Sequence, residues 1–374
     1  MNAERVVIAV PARDEATHLP ACLRALAHQQ GDHDYEIFLL INNSTDASSA
    51  IARQFARVIV HEVALPPAQA NAGHARRLAM DLGAARLGPS GVLMTTDADG
   101  QVPADWISSN LAALRAGADA VAGRAEVDGI DAADIPQSLV ENDALECAYA
   151  ALLDEMAFRI DPDPADPWPR HDEHSGASIA MRVAAYHRAG GVPPALIGED
   201  RALFAALRRV DARIRHAPEI CVTVSGRIHG RAFGGMADTI RRRLIAPDPI
   251  LDSRLEPALD RLRRLRLRRR AHQIWTLGRL GGLWQTSLLA AGLAMADGAL
   301  RELLDQRYFG TAWESIEASC PELQPRTVPA PDVQLQIRFA RAILSGYQDP
   351  GVADMQPANF RGAVFDRIDS LCLP

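Results

Sequence analysis

The sequence predicts an α/β fold, a mostly parallel mixed sheet with helices on both faces, followed by a mainly helical C-terminal region. Three observations predict it. Short apolar runs alternate with helix-patterned stretches over the first half of the chain, as βαβ units require. One of these runs, Val92 to Met94, delivers Asp97 and Asp99 onto a Gly-containing turn. Beyond Gly235 the strand patterns cease and leucines recur at helical spacing.

The elements follow in order. VVIAVPA (Val6 to Ala12) is a continuous apolar run and reads as the first strand. Leu19, Cys22, Leu23 and Leu26 then share one face of a helix. EIFLLI (Glu36 to Ile41) is the second strand, NNSTDAS a turn with helix-capping residues, and Ala47 to Phe55 the second helix. In that turn Asp46 reads as a helix cap. VIVHEV (Val58 to Val63) gives the third strand, Ala75 to Leu87 the third helix and GVLMTTD the fourth strand. Trp106 to Ala116 is a helix, ADAVAGRAEVD a strand, and Gln137 to Phe158 a helix with Leu139, Leu145, Ala148 and Leu152 on its apolar face. Asp161 to His174 carries four prolines and reads as a loop. A strand (Ala177 to Met181), a helix, a Gly-Gly turn and a helix opening on Glu199 and Asp200 complete the first part. From Thr239 to Leu344 the pattern is of successive helices, so the expected domains are 1–235 and 236–374.

Composition bounds the function. A chain of 374 residues, 48% of them hydrophobic, can bury a large core. Its formal net charge of −7 argues against nucleic-acid binding, which needs a basic face to displace counterions from phosphates. The five cysteines form no Cys-x-x-Cys pair and suggest neither a zinc ribbon nor a disulfide framework. The first residues lack the basic-then-apolar plan of a secretion signal, so the expected location is the cytoplasm. Gly281 to Ala296 is too short and too polar for a membrane span and reads as a buried helix. The Arg-rich stretch around 254 to 270 has two readings. It is either a solvated helix paired with acidic residues or an anion-binding face, for lipid at the inner membrane or for a phosphorylated acceptor.

Two other Asp-x-Asp triplets, at Asp32 to Asp34 and Asp161 to Asp163, lie in polar sequence with no strand leading in. At a strand end, residues i and i+2 can turn both carboxylates toward one pocket, giving hard oxygen ligands for Mg²⁺ or Mn²⁺ against a diphosphate. His171 and His174 stand at metal-ligand spacing but on no helix, and zinc is not expected there. Ligands of such open sheets sit beyond the carboxyl ends of the strands, so residues after Val10, Ile41 and Thr96 should converge.

Taken in order, IAVPARDEA, LLINNSTDAS, NAGHARRLAMDLGA, TTDADG, SGASIAMR and GGVPPALIGED resemble the family 2 glycosyltransferases of the GT-A fold, over about residues 5 to 235. The resemblance implies transfer of a sugar from a nucleotide-diphosphate donor to a hydroxyl acceptor, with inversion and with Mn²⁺ or Mg²⁺ as cofactor. It puts Pro11, Ala12, Arg13 and Glu15 beside the nucleotide, Arg76 and Asp97 near base and ribose, and Asp99 on the metal. Asn42 stands after Ile41 where two acidic residues are usual, which leaves the donor base open between uridine, guanosine and others. Asp200 is the implied base and Glu199 its support, although an acidic pair at a helix start also suits the helix dipole. In VTVSGRIHGRAFGG the resemblance makes His229 a candidate further metal ligand, and Arg227 and Arg231 are candidates for phosphate or acceptor contacts or else ordinary surface arginines.

Rival readings are a nucleotidyltransferase and a non-catalytic sugar-nucleotide binder. The first lacks its usual Gly-rich, Arg-containing opening loop, and the second sits poorly with Asp97, Asp99 and Asp200 together. A dehydrogenase would need Gly-x-Gly-x-x-Gly after the first strand, where this chain has PARDEA. The helical C-terminal part could serve as a homodimer interface or cover the acceptor cleft.

Overall fold

The computed structural model describes residues 4–128, 136–227, 236–246, 248–278 and 283–347. In chain order the elements are β1 (Val6–Ala12), α1 (Leu19–Ala27), β2 (Tyr35–Asn42), α2 (Ser48–Ala52), β3 (Val58–Val63), α3 (Ala72–Ala85), β4 (Val92–Thr95), α4 (Trp106–Arg115), β5 (Ala120–Val127) and α5 (Gln137–Ile160). There follow β6 (Ile179–Arg182), α6 (Val183–Arg188), α7 (Glu199–Arg209), β7 (Ile214–Val224), α8 (Met236–Ile245), α9 (Ala258–Leu277), α10 (Leu283–Gly292), α11 (Asp297–Leu304), α12 (Phe309–Ser319) and α13 (Val333–Ser345).

The chain forms two compact units. One comprises residues 1–136 and 169–246, the other 137–168 and 247–374. A single cut near residue 236 therefore does not describe the division, because α5 leaves the first unit and packs with the C-terminal helices, while α8 stays with the first.

The first unit holds a seven-stranded sheet in the order β3-β2-β1-β4-β6-β5-β7. Strands β3, β2, β1 and β4 are parallel neighbours, β6 runs antiparallel to β4 and β5, and β7 pairs parallel with β5. Residues alternate across the sheet. Val6, Ile8 and Val10 of β1 face a core with Leu19, Leu23 and Leu26 of α1 and Trp106 and Ile107 of α4. Val7 and Ala9 face a second core with Ala79 and Met80 of α3 and Leu203 and Phe204 of α7. Both faces being covered explains why these strands read as unbroken apolar runs. The chain passes from β1 to β2 on one side, and β4 lies on the other, so the crevice past β1 and β4 is the switch point of the sheet.

Strand β7 has no counterpart in the sequence reading. It carries Arg215, Pro218 and Glu219, and its pairing with β5 shifts register between Ala122 and Arg124, so neither an apolar run nor a clean alternation marks it. Gly123 sits at that shift because a Cβ there would lie 2.3 Å from Ser178 Oγ and 2.6 Å from the Ile220 carbonyl.

The second unit is helical among its described residues. Tyr149, Leu153, Met156 and Ile160 of α5 share a core with Leu262 and Leu265 of α9 and Ile337 and Ile343 of α13. A further core joins α9 to α10, α11 and α12. Helix α10 is not wholly buried: Thr286, Leu289 and Ala290 are inside while Trp284 and Leu288 are exposed. Among the described residues no helix is long and apolar enough to cross a membrane.

Candidate active site

The crevice begins with two turns laced to each other. After β1, Asp14 adopts φ 52°, and after β2, Asn43 adopts φ 51°, left-handed conformations that Asp and Asn tolerate. The Asp14 N–H donates to Ser44 Oγ and Asp14 Oδ1 accepts from the Thr45 N–H. Asp46 accepts from the Ser48 N–H, the Ser48 hydroxyl and the Ala16 N–H. It thus joins the start of α2 to the β1 turn. Pro11 and Ala12 pair with Leu40 and Ile41, and Asn42 ends β2 as a buried residue. Arg13 is half-exposed and donates to the Ala70 carbonyl.

Helix α3 is capped by Asn71, whose side chain accepts from the His74 N–H, and this sets Arg76 one turn in. Arg76 is buried, and four groups take its donors. Nε donates to Glu199 Oε1 at 3.0 Å, Nη1 to Thr95 Oγ1 and the Gly176 carbonyl at 3.0 Å each, and Nη2 to Asp97 Oδ1 at 2.5 Å. One guanidinium therefore ties the end of β4, the Asp-x-Asp turn, the loop before β6 and the start of α7. Burial works against its charge, but Asp97 and Glu199 outweigh it and hold the guanidinium protonated. Two close approaches permit this. A Cβ on Gly176 would lie 2.3 Å from Arg76 Nη2, and one on Gly73 would lie 2.1 Å from the Ala195 carbonyl oxygen.

Asp99 lies deeper than Asp97. Burial pushes its carboxyl up to about 6, with Asp97 adding to the rise, Arg227 opposing it and Glu15 adding again. Arg227, just past β7, makes a two-pronged pair with buried Glu15 at 2.8 and 2.7 Å and approaches Asp99 Oδ2 at 3.3 Å. The isolated bridge between Gln101 and Thr223 fixes this turn to β7. Beneath it, Cys22 donates to the Asp97 carbonyl, and burial followed by Asp99 and Asp97 pushes its thiol far above the ordinary range, so it stays uncharged.

Helix α7 starts after Gly198, at φ 71°. Asp200 Oδ2 accepts from the Gly176 N–H at 3.1 Å and Oδ1 from the Arg201 N–H at 2.7 Å. Burial, then the neighbouring Glu199 carboxylate, raises the Asp200 carboxyl above its ordinary value.

Of the residues expected from sequence, Glu15, Arg76, Asp97, Asp99, Glu199, Asp200 and Arg227 form one connected set of carboxylates and guanidinium groups. Arg76 was expected near base and ribose, and its guanidinium is spent on protein acceptors. His229 and Arg231 lie outside the described residues. Sequence reasoning missed the part played by Thr95 and by Gly176, which only the close approach of Arg76 reveals.

Residues 7–187, a little under half of the chain, match the model of Glycosyl transferase family 2. This is a family 2 glycosyltransferase domain. The matched segment runs from β1 to α6 and supplies six of the seven strands of the mixed sheet, with β7 the seventh. No curated protein matches the chain. Among solved structures, S. aureus TarS residues 1–349 in complex with UDP-GlcNAc is 13% identical, covers 92% of this chain and 91% of its own, with a TM-score of 0.45. Mannosyltransferase PcManGT from Pyrobaculum calidifontis, in complex with GDP-Man and Mn²⁺, is 15% identical over 93% of this chain and 88% of its own, TM-score 0.43. Glucosyl-3-phosphoglycerate synthase from Mycobacterium tuberculosis, with Mn²⁺, UDP-Glc and phosphoglyceric acid, is 16% identical over 65% and 79%, TM-score 0.38. Likenesses of this size carry no argument about donor or acceptor here.

Proposed function

We propose that this glycosyltransferase moves a sugar, with inversion, from a nucleoside-diphosphate donor to a hydroxyl acceptor, with Asp99 on a divalent cation and Asp200 as the base. The observation that carries the reading is Arg76, which grips Asp97 of the metal-side turn and Glu199 beside the base candidate with one guanidinium. Metal side and acceptor side then share one rigid connection.

The donor set suits Mg²⁺ or Mn²⁺. Asp97, Asp99 and Glu15 gather three carboxylates, and the Asp99 carboxyl is raised first by burial and then by the Asp97 charge, which Arg227 only partly offsets. A bound cation would neutralise charge on the departing diphosphate. Arg227 stands where it can add to that neutralisation, and Glu15 orients it. Asp200 is held by two backbone N–H groups and, with its carboxyl raised by burial, is the better proton acceptor. As the acceptor oxygen bonds to the anomeric carbon, its proton passes to Asp200, and the bond from that carbon to the diphosphate oxygen breaks, releasing the nucleoside diphosphate. Pro11, Ala12, Arg13, Glu15 and Asn42 would line the nucleotide side.

Asp200→Asn tests the reading. Nucleotide binding measured by calorimetry should persist, while transfer should fall roughly 10²–10⁴-fold, as expected for loss of a general base. Unchanged turnover would remove Asp200 from the mechanism. A thermal-shift comparison of nucleoside diphosphates with and without Mn²⁺ identifies the base that the Asn42 turn accepts.

A further inference from the structure

A second cluster lies outside these residues, in the first unit. His174 belongs to the loop before β6 and His216 to β7, where it is paired with Ala122 of β5. Their Nε2 atoms face each other at 3.0 Å. Asp172 adds a carboxylate oxygen, and one ligand atom from each of the three lies within 4.8 Å of the others. His216 is buried, and His174 and Asp172 are partly so.

We propose that Asp172, His174 and His216 form a zinc site, distinct from the Asp-x-Asp turn. Several features support it. Two imidazole nitrogens about 2.0–2.1 Å from one tetrahedral zinc stand roughly 3.3–3.4 Å apart, so the observed separation needs only a small opening. Two imidazoles and one carboxylate match the softness of zinc better than that of Mg²⁺. The rings are already oriented: His174 stacks on Phe204 of α7 with centroids 4.4 Å apart, and His216 packs beside it. Such fixed orientation is what a ligand set requires of its surroundings.

His171 is not a fourth ligand. Its Nδ1 accepts the Glu173 N–H at 3.1 Å, so in the neutral ring Nε2 carries the proton. The fourth position then falls to water. Arg208 Nη1 approaches His174 Nε2 at 3.5 Å from the exposed side and must swing aside when an ion enters.

The site would fasten the loop to β7. Two residues past His174 comes Gly176, whose carbonyl accepts from Arg76 and whose N–H donates to Asp200. Zinc would thus hold in place the backbone on which both depend. The metal site itself does not rest on the catalytic reading of Asp200.

The test uses tag-free, full-length protein in the Asp99→Ala background, so that metal at the Asp-x-Asp turn does not contribute. After loading with Zn²⁺ and gel filtration against a weak chelator, mass spectrometry should find about one zinc per chain. His174→Ala and Asp172→Asn, added separately, should abolish retention while far-ultraviolet circular dichroism is unchanged. Co²⁺ loading should give intense tetrahedral d–d absorption that the same substitutions remove, and Zn²⁺ should slow proteolysis within 161–174 only when all three ligands are present. No retained zinc in the parent, or equal retention in both variants, overturns the proposal. Loss of zinc together with intact transfer by the otherwise native enzyme would leave the site standing and overturn its role in holding Gly176.

Discussion

At Asp99 the consequence of burial is a pH dependence whose sign is fixed. Its carboxyl is raised from an ordinary 3.8 to about 6, so the folded protein holds this proton more tightly than the unfolded chain does. Without a cation, this group's contribution to stability is fully present below pH 3.8 and is lost as pH rises through 6. With a cation the proton is a competitor. Apparent Mn²⁺ affinity should therefore weaken as pH falls below about 6, by up to tenfold per unit. Calorimetric titration between about pH 5 and pH 8 checks this, and an affinity flat across that range would show that Asp99 is not a ligand. Asp97 and Asp99 were legible as a strand-end carboxylate pair because an apolar strand leads into them. Their unequal depth was not: the side chain of Asp97 is 36% exposed and that of Asp99 16%, a difference set by Arg76, Glu15 and Arg227 from distant parts of the chain.

Between elements, Arg76 joins α3, β4, α7 and the loop before β6. Removing it leaves Glu199 buried beside Asp200 with no cation between β4 and α7, so Arg76→Ala should destabilise the protein by about 3–5 kcal/mol. Arg76→Lys keeps the charge but not the fork of donors, and should recover only part of that loss. Gly176→Ala should cost about 1–3 kcal/mol, because the added methyl overlaps the guanidinium. Urea unfolding measures all three, and a Gly176→Ala protein as stable as the parent would show that the loop yields freely. The sequence marks α3, β4 and α7 individually through capping, apolar runs and the Glu-Asp start. Their meeting at one guanidinium is a contact across 123 residues of chain, beyond the reach of any local pattern. Strand β7 was missed for a related reason: an edge strand with a bulge and a proline has no periodic signature, and its place is dictated by β5.

Over the whole molecule, the interrupted first unit has a practical consequence. A fragment ending at residue 246 retains α5 without α9 and α13, exposing Tyr149, Leu153, Met156 and Ile160. That fragment should bind a hydrophobic dye strongly and aggregate, whereas the full chain should not. A soluble, dye-silent fragment would show that α5 does not need its partners. The arginines of α9 bear on the membrane question. Arg264 engages Glu256 and Glu317, Arg268 pairs with Asp161, Arg263 with Glu322, and Arg266 donates to the Tyr347 hydroxyl. Charges already paired bind anionic lipid weakly, so sedimentation with anionic liposomes in about 0.15 M salt should leave the protein in the supernatant. By itself the sequence determined the strand–helix alternation, the strand-end carboxylates, the Glu-Asp helix start and the helical character of the C-terminal region. Each rests on neighbours a few residues apart, where sterics and hydrophobic periodicity act. Tertiary structure alone decided the path of α5, the pairing of β7, the grip of Arg76 on both sides of the crevice and the meeting of His174 with His216. Those depend on which distant surfaces must be buried against one another, and burial is a property of the folded chain.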